Sequence, residues 1–430
     1  MKDLKCLNTS RFILPYIFDN NKDLSEVSFD INDWKEYPIN TKYLSRSVYE
    51  IFASGEGVCK NYSLNDSARS KYGMPHRNAL VTMKSKMYGA SGTYYFYIVS
   101  HRIIQFESGV GFLLMDIQFP EDDTSKLIDI NFCISNIFTN EHDSGKQENN
   151  LSFSYKEGEN PHAFSIKNSL YNALNAGKYA ERLMLFPSST RKRLITYNSV
   201  FSKPMDELHT KKLLYCLGNS LHGKIQYDES SDSGTIFSSF AGQSWYVGTN
   251  GVVSVASTNP ENEDFVKKVH RRNVDLDYFN IFILALHERE IMLEYNYLAV
   301  HRRKRPKELI NMKPKLLDAD ILYTFNTVSV EPSYQGFYGH LRSIFNLDNL
   351  RSDIRDVIEN VESHVNDQND RKINAILTAI SFLAVFSALT DGIGFADRLQ
   401  AGDAFGILQW SVILIVVLFI FIAFFICKRK

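Results

Sequence analysis

The side chains best placed to do chemistry form one stripe near the C-terminus. The segment "DIRDVIENVESHVNDQNDRKINAILTAISFLAVFSAL" (353–389) predicts a helix. At 100° per residue, Asp370, Asn374, Thr378, Ser381 and Ala388 continue one polar or small-residue face of it, begun upstream by Asp356, Asn360, Ser363 and Asp367. Ile354, Val357, Ile358, Val361 and Val365 take the opposite side. Carboxylate and amide oxygens suit hard cations such as Mg²⁺ or another divalent ion, and rings of them around an axis give cation selectivity. The alternatives are a solvated helix face, or groups that cap and hydrogen-bond at a surface.

Basic clusters offer a second chemistry, since cations recognise phosphate. Arg191-Lys192-Arg193 follows the loop Pro187-Ser188-Ser189 and leads into a possible strand, "RLITYNSVF", so it is the candidate for a nucleotide-type ligand, with solvated charge as the alternative. His301 to Arg305 ends a helix and suits its dipole. His287-Glu288-Arg289-Glu290 lacks the second histidine of H-E-x-x-H, because position 291 is Ile; it reads as a charged helix face. Gly55-Glu56-Gly57 and Gly109-Val110-Gly111 complete neither the phosphate loop nor the dinucleotide fingerprint, and no catalytic set has local spacing. No enzyme activity and no direct nucleic-acid binding are expected.

The elements that must position these groups divide the chain unevenly. Its 430 residues carry 48 basic and 49 acidic side chains, a balance that favours neither nucleic acid nor an acidic substrate. Five cysteines stand without pairable spacing, which fits a reducing compartment. "TYYFYIVSHRIIQFESGVGFLLMDIQF" (93–119) predicts two or three antiparallel strands, and Asn250-Gly251 a two-residue hairpin turn. "MDELHTKKLLYCLGNSL" has helical spacing, with Gly218 near its end. A long helix is expected from about Asp275 to Pro306, another before Pro332, and a third from about Ser333 to Leu389 without a break.

Hydropathy then sets the expected organisation. Residues 407–427 are uncharged and about the roughly 20 residues that cross a bilayer as a helix. The run 373–389 is shorter and follows Arg371-Lys372; Lys428-Arg429-Lys430 closes the chain. The positive-inside rule puts both termini in the cytoplasm and the acidic stretch around Asp391, Gly392 and Gly394 outside, at the outer mouth of any axial path. The expected fold is an α/β cytoplasmic sensor domain (1–332), a stalk helix (333–372), a two-helix transmembrane hairpin (373–390 and 407–427, with an outer loop 391–406) and a short tail (428–430). A bacterial inner-membrane location follows, with the lipid bilayer as a partner.

This layout, with the text "YQGFYGHLRSIFNLDNLRSDIRDVIENVESHVNDQNDRKINAILTAI", resembles the CorA-type two-span divalent-cation transporters. The resemblance covers about the last hundred residues and implies a funnel-shaped homopentamer with an axial pore. Where the family carries Gly-Met-Asn, this chain reads Asp391-Gly392-Ile393-Gly394. That departure resembles the divergent CorA-like proteins of type III CRISPR defence, which implies a ligand-gated membrane effector activated by a nucleotide second messenger, S-adenosylmethionine joined to AMP. A CorA-type Mg²⁺ transporter and a membrane-tethered nucleotide-binding protein are the alternatives.

Overall fold

The computed structural model describes residues 8–18, 29–37, 39, 41–53, 58–120, 123–139, 150–177, 183–187, 192–259, 261–301, 314, 317 and 323–397. The chain divides into two compact units: 1–298 with 314–353, and 299–313 with 354–430.

The first unit is built on one large sheet. Its strands are β1 (Thr9–Phe18), β2 (Trp34–Glu36), β3 (Cys59–Leu64), β4 (Leu80–Met87), β5 (Ala90–Phe106), β6 (Val110–Gln118), β7 (Leu151–Glu157), β8 (Asn160–Phe164), β9 (Leu183–Leu185), β10 (Ile195–Ser202), β11 (Thr235–Phe237), β12 (Gln243–Val247) and β13 (Gly251–Ser257). The order along the sheet is β11-β12-β13-β10-β1-β6-β5-β4-β7-β8. Pairing is antiparallel throughout except between β10 and β13. Central β1 and β6 are buried along most of their length, which is why they read as near-continuous apolar runs rather than alternating ones.

The expected strands in 93–119 are present as β5 and β6, turning through Gly109 at φ 88. A register shift between Ile98 and Ser100 interrupts their ladder. Such bulges re-aim the side chains beyond them.

Helices α1 (Arg46–Phe52), α2 (Thr124–Ser135), α3 (Ile166–Asn175) and α4 (Glu207–Gly218) lie among the strands in sequence. The carboxylates of Asp123 and Asp206 cap α2 and α4 by accepting from backbone N–H groups of their first turns. From Phe265 the chain is helical but irregular: π-turns at Phe265–His270 and Val274–Tyr278 flank a short α stretch, and α5 (Phe279–His301) follows.

Two expectations are corrected locally, while Gly218 ends α4 as its spacing predicts; a methyl there would lie 2.2 Å from the Tyr246 ring. Beyond it, Ser220 is left-handed, at φ 51. The β12–β13 turn has two residues but sits one position earlier, at Thr249-Asn250, closed by Gly248 N–H donating to the Gly251 carbonyl at 3.0 Å, with Gly251 already the first residue of β13 and pressed against Thr196. The unbroken helix expected from Ser333 is two helices, α6 (Pro332–Ile344) and α7 (Leu347–Asp397), separated at Asn346, whose φ of 55 suits a short polar side chain.

The larger correction concerns the fold class. The expected two-helix transmembrane hairpin is not met: among the described residues no helix is long and apolar enough to cross a membrane. The run 373–389 is seventeen residues, interrupted by Asn374, Thr378, Ser381 and Ser387. Instead of ending in a turn, α7 continues as helix through Asp391, Gly392 and Gly394 to Asp397. Residues 407–427, the second half of the expected hairpin, lie outside the described residues. The domain is also not an alternating α/β array, since its sheet is almost wholly antiparallel.

The crowding at Gly218 yields a stability test. Gly218→Ala should destabilise the protein by about 2 kcal/mol through overpacking against Tyr246. In α6, Gly336→Ala meets no atom within 4 Å and should be neutral or stabilising by up to about 1 kcal/mol. Denaturant unfolding of the two variants, monitored on the sheet domain, checks both.

Candidate functional site

Sheet register assembles a polar cavity of about 450 Å³. Arg11 on β1 lies opposite Tyr197 on β10 and opposite Asp116 on β6, and Asp116 in turn lies opposite Ser100 on β5. Tyr197, Arg11, Asp116 and Ser100 thus form one row across four strands. Thr9 and Gln118, two residues along their strands, pair in the neighbouring row on the same face. The bulge before Ser100 places Ser100 and Arg102 on that face as well. Tyr37, Arg77, and Arg271 with Asp275 complete the lining from outside the row.

The row is held by charge. Arg11 Nε donates to Asp116 Oδ1 at 2.8 Å, Ser100 Oγ to Asp116 Oδ2 at 2.7 Å, and Arg102 Nη2 to the same Oδ2 at 3.3 Å. Only 12% of the Arg11 side chain and 14% of that of Asp116 remain exposed. Both guanidiniums also sit over the Phe279 ring, 4.0 Å and 5.3 Å from its centroid. Burial pushes the Asp116 carboxyl up, but Arg11, Arg102 and the Ser100 hydroxyl outweigh it and hold it below the usual carboxylate value.

Asp275 is held more loosely, 3.8 Å from Arg11 and 3.7 Å from Arg271. Burial raises its carboxyl above the usual value despite both arginines. Arg77 is exposed and has no ion pair among the described residues. Tyr37 stays 42% exposed, with the Arg102 guanidinium 5.7 Å from its ring centroid. The arrangement can bind a small anion through Arg11, Arg102, Arg271 and Arg77, offer a flat face at Tyr37, and accept a positive group at Asp116 or Asp275. Its volume falls in the range of pockets for drug-sized ligands.

None of the residues chosen from sequence lines this cavity. Arg191 lies outside the described residues. Arg193 bridges two loop ends, donating from Nε to Asn136 Oδ1 at 3.0 Å and from Nη1 to the Asn219 carbonyl at 3.1 Å; Lys192 precedes it. Asp370, Asn374, Thr378 and Ser381 share one exposed face of α7, where Thr378 Oγ1 donates back to the Asn374 carbonyl at 2.7 Å. Ala388, Asp391, Gly392 and Gly394 are helical in backbone, and their side chains are outside the described set. No group of three metal-ligating side chains occurs among the described residues.

The segment 287–290 is not the charged surface face its sequence predicts. His287, Glu288 and Glu290 are all buried. His287 Nε2 pairs with Ser108 Oγ at 2.7 Å, and its ring stacks on Phe106 with centroids 3.8 Å apart. Glu288 takes hydrogen bonds from Tyr338 and from Thr324, and pairs with Arg351. This buried knot ties the β5–β6 turn and the start of α7 to α5.

Comparison with known proteins adds little. Neither a scan of family models nor a search of curated proteins returns a match. Among solved structures, the chain is similar to the CorA magnesium transporter from Methanocaldococcus jannaschii, at 12% identity and a TM-score of 0.19, over 56% of this chain and 92% of that one. A likeness this slight assigns neither fold nor function.

Two tests follow from this geometry. Asp116→Ala leaves Arg102 without its ion pair and Arg11 with only the 3.8 Å contact to Asp275, and should cost about 3 kcal/mol of stability in denaturant unfolding, whereas Ser100→Ala should cost about 1 kcal/mol.

The second is a pH dependence. Burial lowers His101 to about 3, helped by Arg69 and opposed by Asp116, and lowers His270 to about 4. Both stay neutral in the fold while the unfolded chain takes up protons below 6.5. Stability is therefore fullest above about pH 7 and falls as pH drops from 6.5 toward 4, by roughly 2 kcal/mol per histidine at pH 5. His270→Gln should flatten the fall between pH 7 and pH 5 by about that amount in parallel unfolding titrations.

Proposed function

We propose that the chain is a ligand-gated effector whose sensor is the cavity around Arg11 and Asp116, and whose signal is a small nucleotide. The observation that supports this reading most is the cavity itself: four arginines, the three carboxylates of Asp66, Asp116 and Asp275, and an exposed tyrosine around about 450 Å³. Guanidiniums recognise phosphate by paired N–H donation, and an exposed aromatic ring offers a base a stacking surface. Carboxylates beside the arginines suit a ligand that carries a positive group as well as negative ones. A conjugate of S-adenosylmethionine and AMP has all three parts, which fits the type III CRISPR setting that the sequence resemblance implies. Self-association and action at the bacterial inner membrane belong to the same proposal.

Isothermal titration with AMP, S-adenosylmethionine, the conjugate of the two, and Mg²⁺ tests the reading. The conjugate should bind at least tenfold more tightly than either half. Arg77→Ala, which disturbs no ion pair among the described residues, should weaken it about tenfold, the order of one charge-assisted hydrogen bond. Binding of Mg²⁺ with no response to any nucleotide, or nucleotide binding indifferent to Arg77→Ala and Arg102→Met, would refute the assignment.

A further inference from the structure

We propose that Asp275 is a built-in competitor for the pocket arginines, and that a ligand anion displacing it releases the π-helical turn at Val274–Tyr278. The proposal rests on the reading of this cavity as a ligand site.

Its first support is geometric. Arg11 has two carboxylate partners of unequal quality: Asp116 at 2.8 Å and Asp275 at 3.8 Å. Asp116 is fixed by three donors from two strands, Arg11 of β1 and Ser100 and Arg102 of β5. Among the described residues the Asp275 carboxylate has only long contacts, to Arg11 and Arg271, on a helical segment rather than on the sheet. Its carboxylate stands where the negative group of a ligand contacting both arginines would sit.

The second support is the backbone under Asp275. A π-turn is a rare helical form, found mostly as a single turn and often at functional sites. The turn Val274–Tyr278 is held by side chains from the sheet. Tyr197 Oη donates to the Val274 carbonyl at 2.7 Å, and Arg11 Nη1 donates to the Asp275 carbonyl at 3.3 Å. Arg11 therefore grips Asp275 twice, by side chain and by carbonyl. Moving Arg11 onto a ligand anion withdraws both contacts, leaving Tyr197 to hold the turn from the sheet. A π-turn that has lost two of its tertiary contacts opens more often, and that change in local stability can carry a binding signal.

Amide hydrogen exchange on the full chain, with AMP as the probe, tests this. In wild type, AMP should raise exchange across residues 271–278 about tenfold. Asp275→Asn should raise it similarly without AMP, and should tighten AMP binding several-fold. Arg271→Gln is a second route to loosening Asp275, should the first variant fold poorly, and should raise exchange there without AMP. Normal AMP binding with exchange unchanged in both variants overturns the latch and leaves the pocket reading standing. Raised exchange in Asp275→Asn, with AMP binding to neither protein, supports the latch and overturns the pocket reading.

Discussion

Asp116 is the constraint around which the polar cavity face of the sheet is organised. It brings two guanidiniums, Arg11 and Arg102, onto one side of a sheet that packs a large apolar core. Two like charges cannot share a largely buried site without a counter-charge between them, and Phe279 below them offers only the face of a ring. The carboxylate must therefore stay ionised and central. It does so because the registers of β1, β6 and β5 put Arg11 and Ser100 directly opposite it, with Arg102 two residues along β5 on the same face. A one-residue slip of any of these strands would turn a member of the row to the other face. The Ile98–Ser100 bulge is part of the same solution, since it sets Ser100 opposite Asp116.

A second buried polar group does the same work for the helices. Glu288 and His287 sit on α5 among apolar neighbours, and each is satisfied by a partner far away in sequence. Arg351, from the first turns of α7, reaches Glu288, while Tyr338 of α6 donates to the same carboxylate. Removing any one of these partners leaves a buried charge or hydroxyl without its match, so the pairs fix one arrangement more than they add to stability. The sheet and the helices of the first unit are thus each keyed by a carboxylate, Asp116 and Glu288.

Much of the local structure was legible because it depends on neighbours in sequence. The β5–β6 turn, the α4 pattern and the helical run after Asp275 are examples. Errors came where the third dimension decided. The 287–290 segment has the composition of a solvated face, and its burial follows only from Ser108 and Arg351. The cavity row was invisible for the same reason: Arg11, Ser100, Asp116 and Tyr197 are single residues on four strands, and no local spacing joins them. Arg191-Lys192-Arg193 drew attention because it is contiguous, yet Arg193 holds loops together. The polar stripe of α7 does occupy one face of a continuous helix, while the transmembrane hairpin built on it was overturned.

The pre-paired state of the cavity also limits how it can gain affinity. An anion that takes Arg11 from Asp275 exchanges one carboxylate contact for another, so the charge pair contributes only the difference between a 3.8 Å contact and a shorter one. The displaced Asp275 carboxylate must then find water or a positive group. A simple anion leaves it with neither gain nor partner inside the cavity. A ligand bearing a cationic group can meet it there, and one with a flat ring gains Tyr37 in addition. Selectivity in such a site comes from the groups that accompany the anion, and the internal carboxylate is what enforces it.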